Sequence, residues 1–354
     1  MSRLPRAATV GFILAWVSVM TTPGLFGFAA ERVSAQAGQG GARQAAWPPA
    51  LRGPAPGEVE VLPVQGQVFL ITGAGANITV QAGDEGILLV DTGLASMSDK
   101  VWAAVRTISK GKLRYVVNTT EHADHAGGNA TIAARGETIP LRERTYTAGP
   151  MGTLEYNKAS VISYLTVLHR MSAPTGQAAP TPVAAWPDNT YSTPQKRLYF
   201  NYEPVVITHQ PGNTDGNSMV LFRKSDVVSA GDLLDLTGYP LIDLKAGGSL
   251  QSIVQALNRL IETTVPAAHA SGGTLVIPGH GRIADHAEVA YYRDMTTIIR
   301  DRIQDMLRKR MTLEQIKAAR PTRDYDARYG RATGAWTTDM FVEAAYRSLT
   351  GGTK

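Results

Sequence analysis

The sequence predicts two β-sheets packed face to face with helices outside them, and three observations carry that expectation. Residues 59–93, "VEVLPVQGQVFLITGAGANITVQAGDEGILLVDTG", alternate β-branched residues with Gly-centred turns, the pattern of short antiparallel strands. A helix follows in "SMSDKVWAAVRTI", where Val101, Val105 and Ile108 share one face and Ser98 stands as the N-cap. A second cycle repeats the plan: "EPVVITHQP" and "NSMVLFRKSDVVSAGDLL" read as strands, "SLQSIVQALNRLIETT" as an amphipathic helix, and "GTLVIPGHG" as a strand ending in a loop. Strand groups separated by helices fit sheets that bury one face on each other and the other under helices.

Along the chain, Arg3 and Arg6 precede the apolar run "AATVGFILAWVSVM", and small residues follow in "FAA" and "SAQA". That order is a secretory signal over residues 1–37, with cleavage near Ala35 or Ala37 and export to the periplasm or medium. An uncleaved anchor is the alternative, which Pro23 and the interrupting glycines disfavour. Residues 38–58 are a Gly- and Pro-rich leader, and ordered structure is expected from Val59. "KLRYVVNT" is a strand, residues 151–170 look helical, and residues 171–195 form an irregular Pro-rich insertion of the kind that walls or lids a site. After a main domain at 59–288, residues 289–354 make a helical extension: one long helix, then a short one. Its apolar stripe (Met295, Ile298, Ile299, Ile303, Met306) is packing, and no site is assigned to it.

The chain has 354 residues, no cysteine and a formal charge of +5. Disulfides and thiolate metal sites are thereby excluded, so a metal needs His, Asp or Glu ligands. Removing residues 1–37, which carry Arg3, Arg6 and Arg32 against Glu31, lowers the charge by two to +3. No basic face with interleaved aromatics marks a nucleic-acid partner, and no membrane partner is expected once the signal is cleaved.

Four short loops at strand ends carry the chemistry: "EHADH", "QPGNTDGN", "SAGD" and "PGHG". Each is weak alone; their order is specific. Together with "VDTG" at Val90 to Gly93 they resemble the metallo-β-lactamase-fold superfamily over about residues 59–288. The resemblance implies a four-layer αββα sandwich with metal at one edge between the sheets. It places the slots of the family's H-x-H-x-D-H motif on Thr120, His122, Asp124 and His125. The Gly-His-Thr histidine falls on Asn213, the Gly-Asp aspartate on Asp232, and the last histidine on His280. The metal-ligand candidates are therefore His122, Asp124, His125, Asp232 and His280.

Two slots depart from the family, Thr120 and Asn213, and both belong to the same one of its two metal sites. Neutral oxygens there are poor zinc ligands. The other site is complete, with Asp124, His125, Asp232 and His280 offering two carboxylates and two imidazoles for one Zn²⁺. The resemblance then implies a hydrolase of a small-molecule ester, lactone, thioester or amide, β-lactams among them. His122 or Asp124 becomes the candidate general base, and Asn213 or Asn217 an oxyanion donor. The alternative is a degenerate member that binds a ligand without catalysis. An iron-dependent redox role is disfavoured, since no flavin domain is fused. Around the site, Glu121 could reach into the vacated position, Tyr164, Tyr191 and Trp186 either line a cleft or serve as core and loop anchors, and Asp215 could cap the "NTDG" turn. His209 is taken as structural, and His169, His269 and His286 as packing or solvent residues.

Overall fold

The computed structural model describes residues 53–138, 158–172, 178–269 and 272–351. The expected signal sequence and the leader through residue 52 lie outside the described residues.

The first sheet contains β1 (Glu60–Gln65), β2 (Val68–Thr72), β3 (Ile78–Gly83), β4 (Gly86–Val90), β5 (Leu113–Val117), β6 (Ser160–Tyr164) and β7 (Asn189–Tyr191), in sequence order across the sheet. β1 to β4 form an antiparallel meander, and β4 to β7 pair in parallel. The second sheet comprises β8 (Gln195–Phe200), β9 (Glu203–His209), β10 (Ser218–Phe222), β11 (Val227–Asp235) and β12 (Leu275–His280), ordered β12-β11-β10-β9-β8, with only β11 and β12 parallel.

Strand β4 shows how the layers are built. All five of its residues are buried. Because side chains alternate across a strand, Leu88 and Val90 enter the core between the sheets with Val117, Ile162, Val205, Val220 and Ile277. Ile87 and Leu89 pack on the opposite face, against Val101 and Val105 of α1 (Ser98–Ile108) and Ile132 of α3 (Asn129–Ala133). The short α2 (Ala123–Ala126) lies between them in sequence, and α4 (Leu165–Met171) follows β6.

The second sheet's outer face, including Met219, Val228, Ala230 and Val276, is covered by α5 (Leu250–Thr263) and by helices of the extension. These are α6 (His286–Arg308), α7 (Leu313–Ala319), α8 (Asp326–Tyr329) and α9 (Thr338–Thr350). The result is the αββα sandwich expected, with the extension sharing one core with the body. Among the described residues no helix is long and apolar enough to cross a membrane.

Several local expectations are corrected. Ser98 is inside α1; Met97 holds the N-cap position, and the Ser98 hydroxyl donates to the Ala95 carbonyl at 2.9 Å, closing a preceding 3₁₀ turn. The helix expected at residues 151–170 is a strand, β6, and then α4; residues 151–157 lie outside the described set. β6 is buried on both faces between β5 and β7, so its apolar run carries no alternation to distinguish it from a helix. In the α6 stripe Met295, Ile299 and Ile303 are buried, but Ile298 is 39% exposed. Ser249 caps α5, its side chain accepting from the Ser252 amide.

Leu257 on α5 is fully buried in the cluster that joins the second sheet to α6 and α9. Leu257→Ala is expected to destabilise the fold by about 2–5 kcal/mol. The measure is a lower urea midpoint at unchanged slope; an unmoved midpoint would contradict this packing.

Candidate metal centre

The site is assembled at one edge of the sandwich from the C-terminal ends of β4, β5, β11 and β12. Just past β4, Asp91 adopts φ 65°, an uncommon conformation for a residue with a side chain. That turn sends its carboxylate back under β5, where it accepts from the Thr119 amide at 2.8 Å, the Thr119 hydroxyl at 2.7 Å and His125 Nδ1 at 2.7 Å. His125 is fully buried. With Nδ1–H given to Asp91, Nε2 is turned away from that support toward Asp232 Oδ1, the carboxylate–histidine arrangement found at metal ligands.

His125 and Asp124 project from α2, whose start is the β5 loop. The "AGG" that follows packs too closely for side chains: a Cβ on Gly128 would sit 2.6 Å from the Thr92 carbonyl oxygen. Asp232 follows Gly231, which has φ 52° at a register shift in β11 and whose added Cβ would meet Thr119 Oγ1 at 2.5 Å. The absence of a side chain there lets the Asp232 strand press against the Asp91–Thr119–His125 unit. His280 ends β12.

These elements bring four ligand atoms together. His125 Nε2 lies 2.9 Å from Asp232 Oδ1, His280 Nε2 is 3.2 Å from Asp124 Oδ2, and His280 Nε2 is 3.6 Å from Asp232 Oδ1. Ligand atoms of Asp124, His125 and His280 all fall within 4.8 Å of one another. A tetrahedral cation with bonds of about 2.0–2.1 Å requires ligand atoms roughly 3.3 Å apart. Asp124, His125 and His280 could therefore share one divalent ion, with Asp232 Oδ1 beside both imidazoles.

The electrostatics agree. Burial disfavours charge on each group, yet the facing opposite charges prevail: His125 and His122 hold Asp232 well below the usual carboxylate range, and Asp232 and Asp91 hold His125 well above that of an imidazole. Burial likewise opposes charge on His280 and His122, but carboxylate partners raise both.

The other oxygen of Asp232 is engaged differently. Oδ2 accepts from His122 Nδ1 at 2.9 Å and from Asn213 Nδ2 at 3.1 Å. Thus His122 stands beside the four-atom set, bound to Asp232 from the opposite side, with Nε2 3.8 Å from Asp243 Oδ2. Asn213 is fully buried with its amide on Asp232, so it orients that carboxylate and does not face the cleft as an oxyanion donor. Asn217 is buried too, its Oδ1 accepting from the Thr214 amide at 2.8 Å. Thr120 is buried and donates to Glu121 at 3.3 Å; Glu121 is drawn to Arg170 at 3.0 Å and does not enter the vacated position. Asp215 serves the same guanidinium, and the turn it was expected to cap is made by Thr214 and Asn217.

The expected cleft aromatics are anchors. Tyr164 stacks on His209 with ring centroids 3.4 Å apart, His209 Nε2 donates to the Asp215 carbonyl, Tyr191 bonds Ser218, and Trp186 donates to the Thr181 carbonyl. His286 contacts Thr264 through Nδ1 at 2.8 Å, a packing role. A cavity of about 230 Å³ does open on the metal set, with His122, Asp124, Asp232 and His280 on one wall. Tyr239 and, from the extension, Tyr329, Arg331 and Trp336 line it as well. Sequence reasoning assigned these no role; the lone tryptophan in the Gly-rich "GRATGAWTT" was the available signal.

Comparison with known proteins agrees with this geometry. The sequence profile of the metallo-beta-lactamase superfamily matches residues 71–280. The chain belongs to the metallo-β-lactamase superfamily. The stereoselective inverting sec-alkylsulfatase Pisa1 from Pseudomonas sp. is similar in fold, with a TM-score of 0.55 and 15% identity over 82% of this chain and 50% of that one. A metallo-beta-lactamase from Pontibacter korlensis aligns with a TM-score of 0.50 and 18% identity, covering 68% of this chain and 99% of that one. The chain thus spans about half the length of the sulfatase. No curated protein matches the sequence.

Since Asp91 is the acceptor that orients His125, Asp91→Asn is expected to weaken zinc binding about 10–100-fold. Competition against a chromophoric chelator measures it, and wild-type affinity would remove Asp91 from its supporting role.

Proposed function

We propose that this protein is a hydrolase with one zinc ion held by Asp124, His125, Asp232 and His280, acting on a small ester, lactone, thioester or amide. The observation that carries the reading is the gathering of the Asp124, His125 and His280 ligand atoms within 4.8 Å of one another, with Asp232 Oδ1 at 2.9 and 3.6 Å from the two imidazoles. One ion accounts best for Asp232, whose Oδ1 faces this set while Oδ2 is already hydrogen-bonded by His122 and Asn213. A β-lactam is the first substrate to assay. A sec-alkyl sulfate joins the panel because of the fold likeness to Pisa1. The amino-terminal pattern adds export to the periplasm or medium to the proposal.

When bound, a divalent ion supplies Lewis-acid polarisation of the scissile group. The remaining work falls to side chains. His122 lines the cavity, and with Nδ1–H held by Asp232 its Nε2 is the free basic nitrogen. It takes the proton from the attacking water and passes it to the leaving group. Asp243, 3.8 Å from Nε2, stabilises the imidazolium formed meanwhile. Asp124 is assigned to the ion in this scheme, which leaves His122 as the base of the two candidates.

A second reading, a ligand-binding member without catalysis, draws on the same substitutions: Thr120 and Asn213 are buried and hydrogen-bonded where the family's first site would form. Turnover of nitrocefin, aryl esters and a sec-alkyl sulfate, abolished by chelator and restored by zinc, supports the hydrolase; no turnover across the panel supports the binding protein.

Two substitutions probe the ligand assignment. His280→Ala is expected to release the ion, and unchanged zinc retention in that variant would refute the set. Thr120→His combined with Asn213→His is expected to raise occupancy toward two ions, read by elemental analysis, whereas unaltered occupancy would show that the vacated position was closed by more than those two residues.

A further inference from the structure

The backbone carbonyls around His280 are held one by one. The Asn77 side-chain amide donates to the Pro278 carbonyl at 3.0 Å and to the Gly281 carbonyl at 2.8 Å, and the Asn77 backbone N–H donates to the Gly279 carbonyl at 2.8 Å. The His280 carbonyl itself accepts from the Leu236 amide at 3.0 Å. Asn77 thus anchors the chain on both sides of His280, more than 200 residues further along, and it is buried.

The same stretch holds the loop opposite. Ala76 N–H donates to the Asp124 carbonyl at 3.1 Å. Gly75, at φ 105°, passes so close that a Cβ on it would lie 3.1 Å from Asp124 Cβ. Immediately after Asn77 the chain enters β3, which is paired on both sides by β2 and β4. Ala76 and Asn77 are therefore a crosspiece fixed to the first sheet, with the Asp124 loop on one residue and the His280 loop on the next. Across it, His280 Nε2 stands 3.2 Å from Asp124 Oδ2. An asparagine suits the place because a carboxamide offers two N–H groups to two carbonyls, whereas a hydroxyl has one proton and a carboxylate none.

We propose that Asn77 is a positioning residue, which seats the His280 loop at the separation from Asp124 that lets the two side chains share an ion. The inference rests on the one-zinc reading for the ion; the seating of the loop belongs to the chain alone. Groups that orient metal ligands from behind govern affinity without touching the ion.

The test compares the wild-type chain with Asn77→Ala and with Leu257→Ala, a control that loosens the core under α5. Zinc affinity is measured by competition with a chromophoric chelator, and amide hydrogen exchange is followed over residues 275–284 in the metal-free chain. Asn77→Ala is expected to weaken zinc binding by about 10–100-fold and to speed exchange in that segment. Leu257→Ala is expected to lower stability and leave zinc affinity unchanged. Should Asn77→Ala not fold, Asn77→Ser, with a single proton to donate, is put to the same measurements. Wild-type zinc affinity in a folded Asn77 variant, an equal loss in Leu257→Ala, or unchanged exchange over 275–284 would each overturn the proposal. If the wild-type chain takes up no zinc while the Asn77 variant alone speeds exchange there, the zinc reading fails and the seating of His280 by Asn77 stands.

Discussion

The two oxygens of the Asp232 carboxylate are committed to different partners, and the site depends on that division. One oxygen faces His125 and His280, where Asp124 completes a set suited to a cation. The other is hydrogen-bonded by His122 and Asn213. A carboxylate that gives one oxygen to each of two ions needs both oxygens free. Here the Asn213 amide and the His122 imidazole occupy the second oxygen, so the Asp232 charge is not left unpaired. The rest of the fold holds this carboxylate in place: Gly231 lets its strand approach Thr119, and Asp91 locks Thr119 and His125 from beneath.

The second contribution comes from the extension. Its helices are not an appendage; they share a core with α5 and the second sheet, which fixes Tyr329 and Phe341 at full burial. Seating of that kind lets the loop carrying Arg331 and Trp336 line the same cavity as His122, Asp124, Asp232 and His280. Next to Thr120, Arg170 joins Glu121 to Asp215.

Much of this was legible in the sequence because the ligands stand in short loops at strand ends, where a histidine or aspartate beside glycine is conspicuous. "VDTG" was recognisable as support, and the two departures, Thr120 and Asn213, mark where buried hydrogen bonds stand in place of two of the family's histidines. Other features left no local trace. Strand β6 is buried on both faces, so its five residues lack the alternation that marks a strand. The burial of Asn213, which turns an expected donor to substrate into a prop for Asp232, follows from tertiary packing alone. Glu121 was legible as a neighbour of the motif, but its capture by Arg170, 49 residues on, was not. Arg331 and Trp336 lie about 100 residues beyond Asp232, in a stretch without periodicity, and gain meaning only from the cavity they enclose.

A crystal of the zinc-loaded chain, measured on both sides of the zinc absorption edge, tests the central claim most directly. The account predicts one anomalous peak per chain, bonded at about 2.0–2.2 Å to one atom each of Asp124, His125, Asp232 and His280. A second peak between His122 and Asn213, or a single peak that leaves Asp232 unbound, would contradict it.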